Sequence, residues 1–105
     1  IVDAAAWSVA FMRMEGTILG AIDIANKKAR TAVLFQMDSA DFAEIAHPNA
    51  HAYTLENTNG GLISFGGGLV LKDAEGTVVG AIGVSGASTA DDIAIATVAS
   101  RVLIA

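Results

Sequence analysis

Cysteine is absent from the 105-residue chain. That removes a disulfide framework, a thiolate metal site and a thiol nucleophile together. It leaves the redox compartment open. Proline occurs once, at Pro48, so no proline-rich linker divides the chain. Charge is scarce as well: 16% of residues are Asp, Glu, Lys or Arg, below the soluble average of about 25%. The few charges favour acid, with a net −5 at pH 7. A surface of that sign repels a phosphate backbone, so no nucleic-acid partner is expected. Long apolar runs are also missing. The longest uncharged apolar stretch, residues 57–71, is broken by glycines and polar side chains. Nothing reaches the run of about 18 apolar residues that a membrane helix needs.

What is present is apolar material. Hydrophobic residues make up 53% of the chain, too many for a disordered segment. The length suits a single domain over residues 1–105. A domain of about 100 residues buries only about 60–70% of its unfolded surface. A surplus apolar patch is therefore expected, and homo-oligomerisation is the ordinary way to hide it. The chain opens on Ile1-Val2-Asp3, without the basic and apolar regions of a signal peptide. The expectation is a cytoplasmic rather than secreted domain, processed or truncated ahead of Ile1. Its own missing N-terminal segment would then be a partner.

Along the chain, residues 1–3 and 7–13 read as the arms of a hairpin, joined by Ala4-Ala5-Ala6. From Ile18 the period changes. Ile18, Ile22, Ala25, Ala29 and Ala32 share one helical face, and Asp23, Asn26, Lys27 and Arg30 take the other. Asp38-Ser39-Ala40-Asp41 supplies capping residues for a short second helix, which His47-Pro48 stops. Residues 62–71 and 77–84 are glycine-interrupted apolar runs around a polar loop, Lys72-Asp73-Ala74-Glu75-Gly76, which predicts a hairpin. Ser88 followed by Asp91 is a capping-box pattern. The helix it opens, residues 89–103, is apolar nearly all round, so burial between layers or in a subunit contact is expected. The order β-β-α-α-β-β-α defines an α+β domain with a mainly antiparallel sheet.

Five stretches then stand in a particular order: Ile1-Val2-Asp3, Arg13-Met14-Glu15-Gly16, Ala25-Asn26-Lys27-Lys28-Ala29-Arg30-Thr31-Ala32, Gly66-Gly67-Gly68, and Val79-Gly80-Ala81-Ile82-Gly83-Val84-Ser85-Gly86 followed by Asp91-Asp92. Together they resemble the family named after the glycolate-operon protein GlcG and the secreted haem-binding protein HbpS. The C-terminal domain of PduO-type cobalamin adenosyltransferases belongs to it too. The resemblance spans essentially the whole chain. It implies a profilin-like layered fold, homo-oligomers and, in some members, tetrapyrrole binding (haem or corrinoid). Fold alone does not fix function. Three departures stand out. The family's N-terminal helix and part of its first strand have no counterpart here. Ala6 stands where the family's hairpin usually has glycine. Val70 stands where proline usually follows the glycine run, which restores a backbone donor.

Candidate chemistry follows from these stretches. A tetrapyrrole's carboxylates call for cations such as Arg13, Lys27, Lys28 or Arg30. Thr31, one turn from Lys28, offers a hydroxyl. The plainer alternative is a solvated basic face, with Thr31 bonding a carbonyl one turn back. Gly66, Gly67 and Gly68 crowd one strand, and Gly80, Gly83 and Gly86 recur through its partner. Such glycines make room either for a flat ligand or for another backbone. His47 and His51 lie four apart but Pro48 separates them, so no metal site is expected. A single haem-ligating His, Tyr53 or Met14 is the alternative. Ser85 resembles a nucleophile elbow without the full frame. The resulting site set is Arg13, Met14, Lys28, Thr31, Gly67, Gly83 and Ser85, between the glycine-rich hairpin and the Lys28 helix. The first functional reading is an oligomeric module that binds a small planar or carboxylated ligand. The alternative is an enzyme or enzyme subunit acting on a small organic acid, which rests on family analogy alone and finds no acid–base pair in the sequence.

Overall fold

The computed structural model describes residues 1–103. Its elements are β1 (Val2–Asp3), α1 (Gly20–Phe35), α2 (Ser39–Ala46), a 3-10 turn (Leu55–Asn57), β2 (Gly68–Lys72), β3 (Val78–Gly83) and α3 (Thr89–Leu103). The sheet is antiparallel with order β1-β3-β2. Side chains alternate across it, as a strand's period of two requires. Ala81 and Val70 pack with Ala29, Ala32 and Val33 of α1. Ile82, Leu69 and Leu71 pack with Ala96 and Ala99 of α3. The result is a helix–sheet–helix sandwich in the α+β class, as the sequence predicts.

The alanine face of α1 lies very close to the sheet, and this decides what the glycines are for. A side chain at Gly83 would run into the backbone of Ala25 and Ala29, and one at Gly68 into the Lys28 carbonyl. The space they leave is therefore filled by a helix rather than kept for a flat ligand.

The hairpin expected at residues 7–13 does not form. One isolated bridge joins Val2 to Ser8, and the Val9 N–H donates to the Ile1 carbonyl at 2.8 Å. The chain then leaves the sheet. Trp7, Val9 and Phe11 find no layer to pack against and stay exposed, so the sheet has three strands among the described residues. The strand expected over residues 62–71 shortens to β2. Ahead of it the Ile63 N–H donates to the Thr31 hydroxyl at 2.9 Å instead of entering a ladder. Asp38 and Ser39 also differ from expectation. Rather than capping α2, they accept from the N–H groups of Val70 (3.0 Å) and Gly68 (2.8 Å), closing the outer edge of β2. The donor at Val70 thus has a definite partner. The all-round burial expected for α3 is not found: one face meets the sheet, while Ile95, Val98 and Val102 are exposed.

Two turns in the fold are copies of one another. In each, an aspartate carboxylate accepts from the N–H groups two and four residues on: Asp3 from Ala5 and Trp7, Asp73 from Glu75 and Thr77. In each, the fourth residue is left-handed, with φ 68° at Ala6 and 82° at Gly76. Only one carries the residue that suits that backbone. Gly76→Ala is expected to lower stability by about 1 kcal/mol, because the added methyl meets nothing that could compensate. Ala6→Gly is expected to raise it by about 0.5 kcal/mol, since the half-buried methyl it loses offsets part of the relief. Chemical denaturation of both variants measures the difference.

Candidate functional site

Lys28 lies three residues after Ala25 and four before Ala32, on the apolar stripe of α1. A lysine in that position is buried and must find partners inside. It is 0% exposed. Its ammonium donates to the Val84 carbonyl at 2.8 Å and to the Asp92 carboxylate at 3.0 Å. The Phe65 ring lies 5.1 Å from the nitrogen, a cation–π contact. The other Asp92 oxygen accepts from the Ala87 N–H at 3.0 Å. Gly67 lies directly against the ammonium, where any side chain would collide. Thr31 is equally enclosed. Its hydroxyl donates to the Lys27 carbonyl at 2.8 Å, one turn back. Lys28, Thr31 and Gly67 are therefore structural, and the picture of a cation overlooking a glycine-lined hollow gives way to a filled junction of α1, β3 and α3. Asp92 belongs to this ion pair, and the Asp91 N–H is capped by the Ser88 hydroxyl at 3.1 Å.

The open space lies at the neighbouring end of β3. β1 is two residues long and pairs only with Ala81 and Gly80. Past them, beside Ile82 and Gly83, lies a cleft of about 610 Å³. Its walls come from α1 (Ala21, Ile22, Ala25) and α3 (Ile95, Ala99, Val102). Gly83 and Ser85 form part of the floor, and residues 11–14 close one side. The structure thus brings Arg13, Met14, Gly83 and Ser85 together and leaves Lys28, Thr31 and Gly67 outside. Among the described residues lining the cleft, Arg13 is the one charged side chain. Ile1 also lines the space, and its nitrogen donates to the Ala10 carbonyl at 2.9 Å.

Sequence reasoning missed Met12, Phe11, Ile22 and Asn26, all of which line the cleft. Their signal was present in part: residues 11–14 are apolar around a single arginine. His47, His51 and Tyr53 lie elsewhere, between α2 and the 3-10 turn. Among the described residues, no group of three or more His, Asp or Glu side chains could hold a metal ion. No helix there is long and apolar enough to cross a membrane.

Comparison with known proteins agrees with this architecture. The family model for haem-degrading HbpS-like proteins matches residues 1–101, and the chain belongs to that family. The corrinoid adenosyltransferase PduO of Salmonella typhimurium is 35% identical over 97 residues, which cover 91% of this chain and 29% of PduO. This chain therefore spans under a third of that relative. A 15.0 kDa protein from the dhaT–dhaS intergenic region of Citrobacter freundii is 32% identical, over 88% of this chain and 65% of its own length. Among solved structures, a PduOC–haem complex superposes with a TM-score of 0.89 at 34% identity, covering 95% of this chain and 72% of that one. Protein ORFY of Klebsiella pneumoniae gives 0.90 at 31% identity, over 95% and 69%.

Lys28→Met is expected to cost about 3–5 kcal/mol, because Asp92 is left buried without its counter-charge. Adding Asp92→Asn restores part of the loss: it removes that charge and keeps an acceptor for the Ala87 N–H. Urea unfolding of the single and double variants checks both statements.

Proposed function

We propose that this chain is a tetrapyrrole-binding module and that haem is the ligand its cleft takes. The observation that carries the reading is the make-up of the cleft: about 610 Å³ of largely apolar lining with one guanidinium at its side. Ligand sites commonly have this size and this ratio of apolar wall to polar anchor. A tetrapyrrole combines a flat apolar ring with carboxylates at its periphery. Ile22, Ile82 and Val102 suit the ring. Arg13 suits a carboxylate, which a guanidinium can bind through two parallel hydrogen bonds. The exposed thioethers of Met12 and Met14 add soft donors that iron accepts. When bound, haem would bring iron redox and ligand-exchange chemistry. The residues of this chain would bury the ring, orient it through Arg13 and keep water from one face.

The HbpS-like family and the fold shared with the PduOC–haem complex support the same reading. Similarity to a corrinoid adenosyltransferase makes a corrinoid the second ligand in the class. Self-association is part of the proposal. Trp7 and Leu19, outside the cleft, are 74% and 78% exposed, and an oligomer would cover such side chains.

Haemin added to the purified chain is expected to give a saturable Soret shift at about one equivalent per chain. Arg13→Ala is expected to weaken binding by at least about tenfold, the effect of losing its charge-assisted hydrogen bonds to a carboxylate. A folded chain that gives no shift overturns the haem assignment. Tight cobalamin binding in that case would transfer it to corrinoids. Analytical ultracentrifugation is expected to give a mass of at least twice the 10.6 kDa of one chain.

A further inference from the structure

We infer that Asn59 is a site of spontaneous covalent modification, at which the Gly60 backbone nitrogen attacks the Asn59 side-chain amide and the Arg30 guanidinium assists. An asparagine is open to this reaction when three conditions meet. The nitrogen of the next residue must be unshielded, its N–H must be free of a hydrogen bond, and water must reach the site. The chain has four asparagines, and Asn59 is the one that precedes glycine. The amide after Asn26 lies inside α1. Those after Asn49 and Asn57 are committed: the Ala50 N–H donates to the His47 carbonyl at 2.9 Å and the Thr58 N–H to the Leu55 carbonyl at 3.0 Å. The Gly60 N–H has no acceptor among the described residues. Both Asn59 and Gly60 are exposed, and a side chain at Gly60 would meet nothing within 4 Å, so the approach to its nitrogen is open.

The second observation is a cation on the reacting peptide group. Arg30 Nη2 donates to the Asn59 carbonyl at 3.1 Å. That oxygen shares its peptide group with the Gly60 nitrogen. When the Gly60 N–H gives its proton to solvent base, the negative charge spreads onto the same oxygen, where a guanidinium stabilises it. The nitrogen then bonds to Asn59 Cγ, and the bond from Cγ to Nδ2 breaks. Ammonia leaves, taking a proton from water. Water opens the resulting succinimide at either carbonyl. Opening at Cγ leaves an aspartate at position 59 beside Arg30. Opening at the main-chain carbonyl leaves isoaspartate, which lengthens the main chain. That lengthening falls inside the bonds from the Gly61 N–H to the Thr58 carbonyl (2.9 Å) and from the Leu62 N–H to the Glu56 carbonyl (2.8 Å). Leu62 is a core residue packed with Phe42 and Ala46, so the isoaspartyl form loosens this corner of the fold.

The test follows the purified chain in mildly alkaline buffer by peptide mass spectrometry. The peptide carrying Asn59 is expected to gain about 1 Da, the replacement of an amide by an acid, ahead of those carrying Asn26 and Asn49, with fragmentation placing the gain at Asn59 and not Asn57. Asn59→Gln is expected to abolish the gain, because the longer side chain closes its ring far less readily. Arg30→Met, its fold checked by circular dichroism, is expected to slow the gain about threefold, the size of one partly exposed charge contact. In urea, where that contact is gone, parent and Arg30→Met are expected to react at equal rates. Retention of the Asn59 amide in the folded parent, or earlier loss at another asparagine, overturns the site. Equal rates for the folded parent and folded Arg30→Met overturn the part given to the guanidinium.

Discussion

One buried ion pair holds the three layers in register. Lys28 crosses from α1, passes the bare backbone of Gly67 and reaches both the exit of β3 and the first turn of α3. Separating two charges from water is expensive, and their attraction repays it only when the remaining protons and lone pairs are satisfied. Here they are. The ammonium has Val84, Asp92 and the face of Phe65, and the carboxylate has the Ala87 N–H besides. Among the described residues, no buried side-chain nitrogen or oxygen lacks a partner. Apolar contact alone would let α3 slide along the sheet, because its buried side is small, with Ala96 at its centre. A directional bond at its N-terminus fixes where it starts.

That anchoring explains how a cleft persists in so apolar a chain. α1 is pressed onto the sheet by alanine and glycine, and α3 is fixed at its first turn. Their far ends cannot simply close over the end of β3. The space between them stays lined by aliphatic groups, with polarity supplied from the side by residues 11–14. The ion pair that anchors α3 is itself absent from the cleft it helps to frame.

Helices were legible in the sequence because their signals are local: the stripe from Ile22 to Ala32, the Ser88–Asp91 cap and the stop at Pro48, although Ile18, expected on the same stripe, precedes α1 and is exposed. The polar loop around Asp73 was legible for the same reason. Residues 7–13 were not, because a strand-like composition forms a strand only where a covering layer backs it, and Trp7 and Phe11 have none and stay exposed. Glycine at 67, 68 and 83 says that something comes close without saying what, so a ligand and a helix backbone could not be distinguished. Lys28 was readable in principle. A charge on the stripe shared by Ala25 and Ala32 implies a buried counter-charge, and Asp92 follows the cap of the one remaining helix. Arg13, Met14, Gly83 and Ser85 were singled out by residue type and spacing, and the fold brings these four together. Met12 required the spatial arrangement.

Residues 11–14 have a distinctive mechanical status. Backbone bonds to Ile1 end at Ala10, and the next tie is at Met14, whose carbonyl accepts from the Thr17 hydroxyl at 2.7 Å. No ladder holds the stretch between. Any molecule that engages Arg13 and its neighbours must immobilise that stretch as it arrives, so part of the contact free energy goes into ordering chain. Association at this surface should therefore carry an unfavourable entropy beyond that of a preformed socket. Stiffening the stretch would tighten binding without adding a single contact.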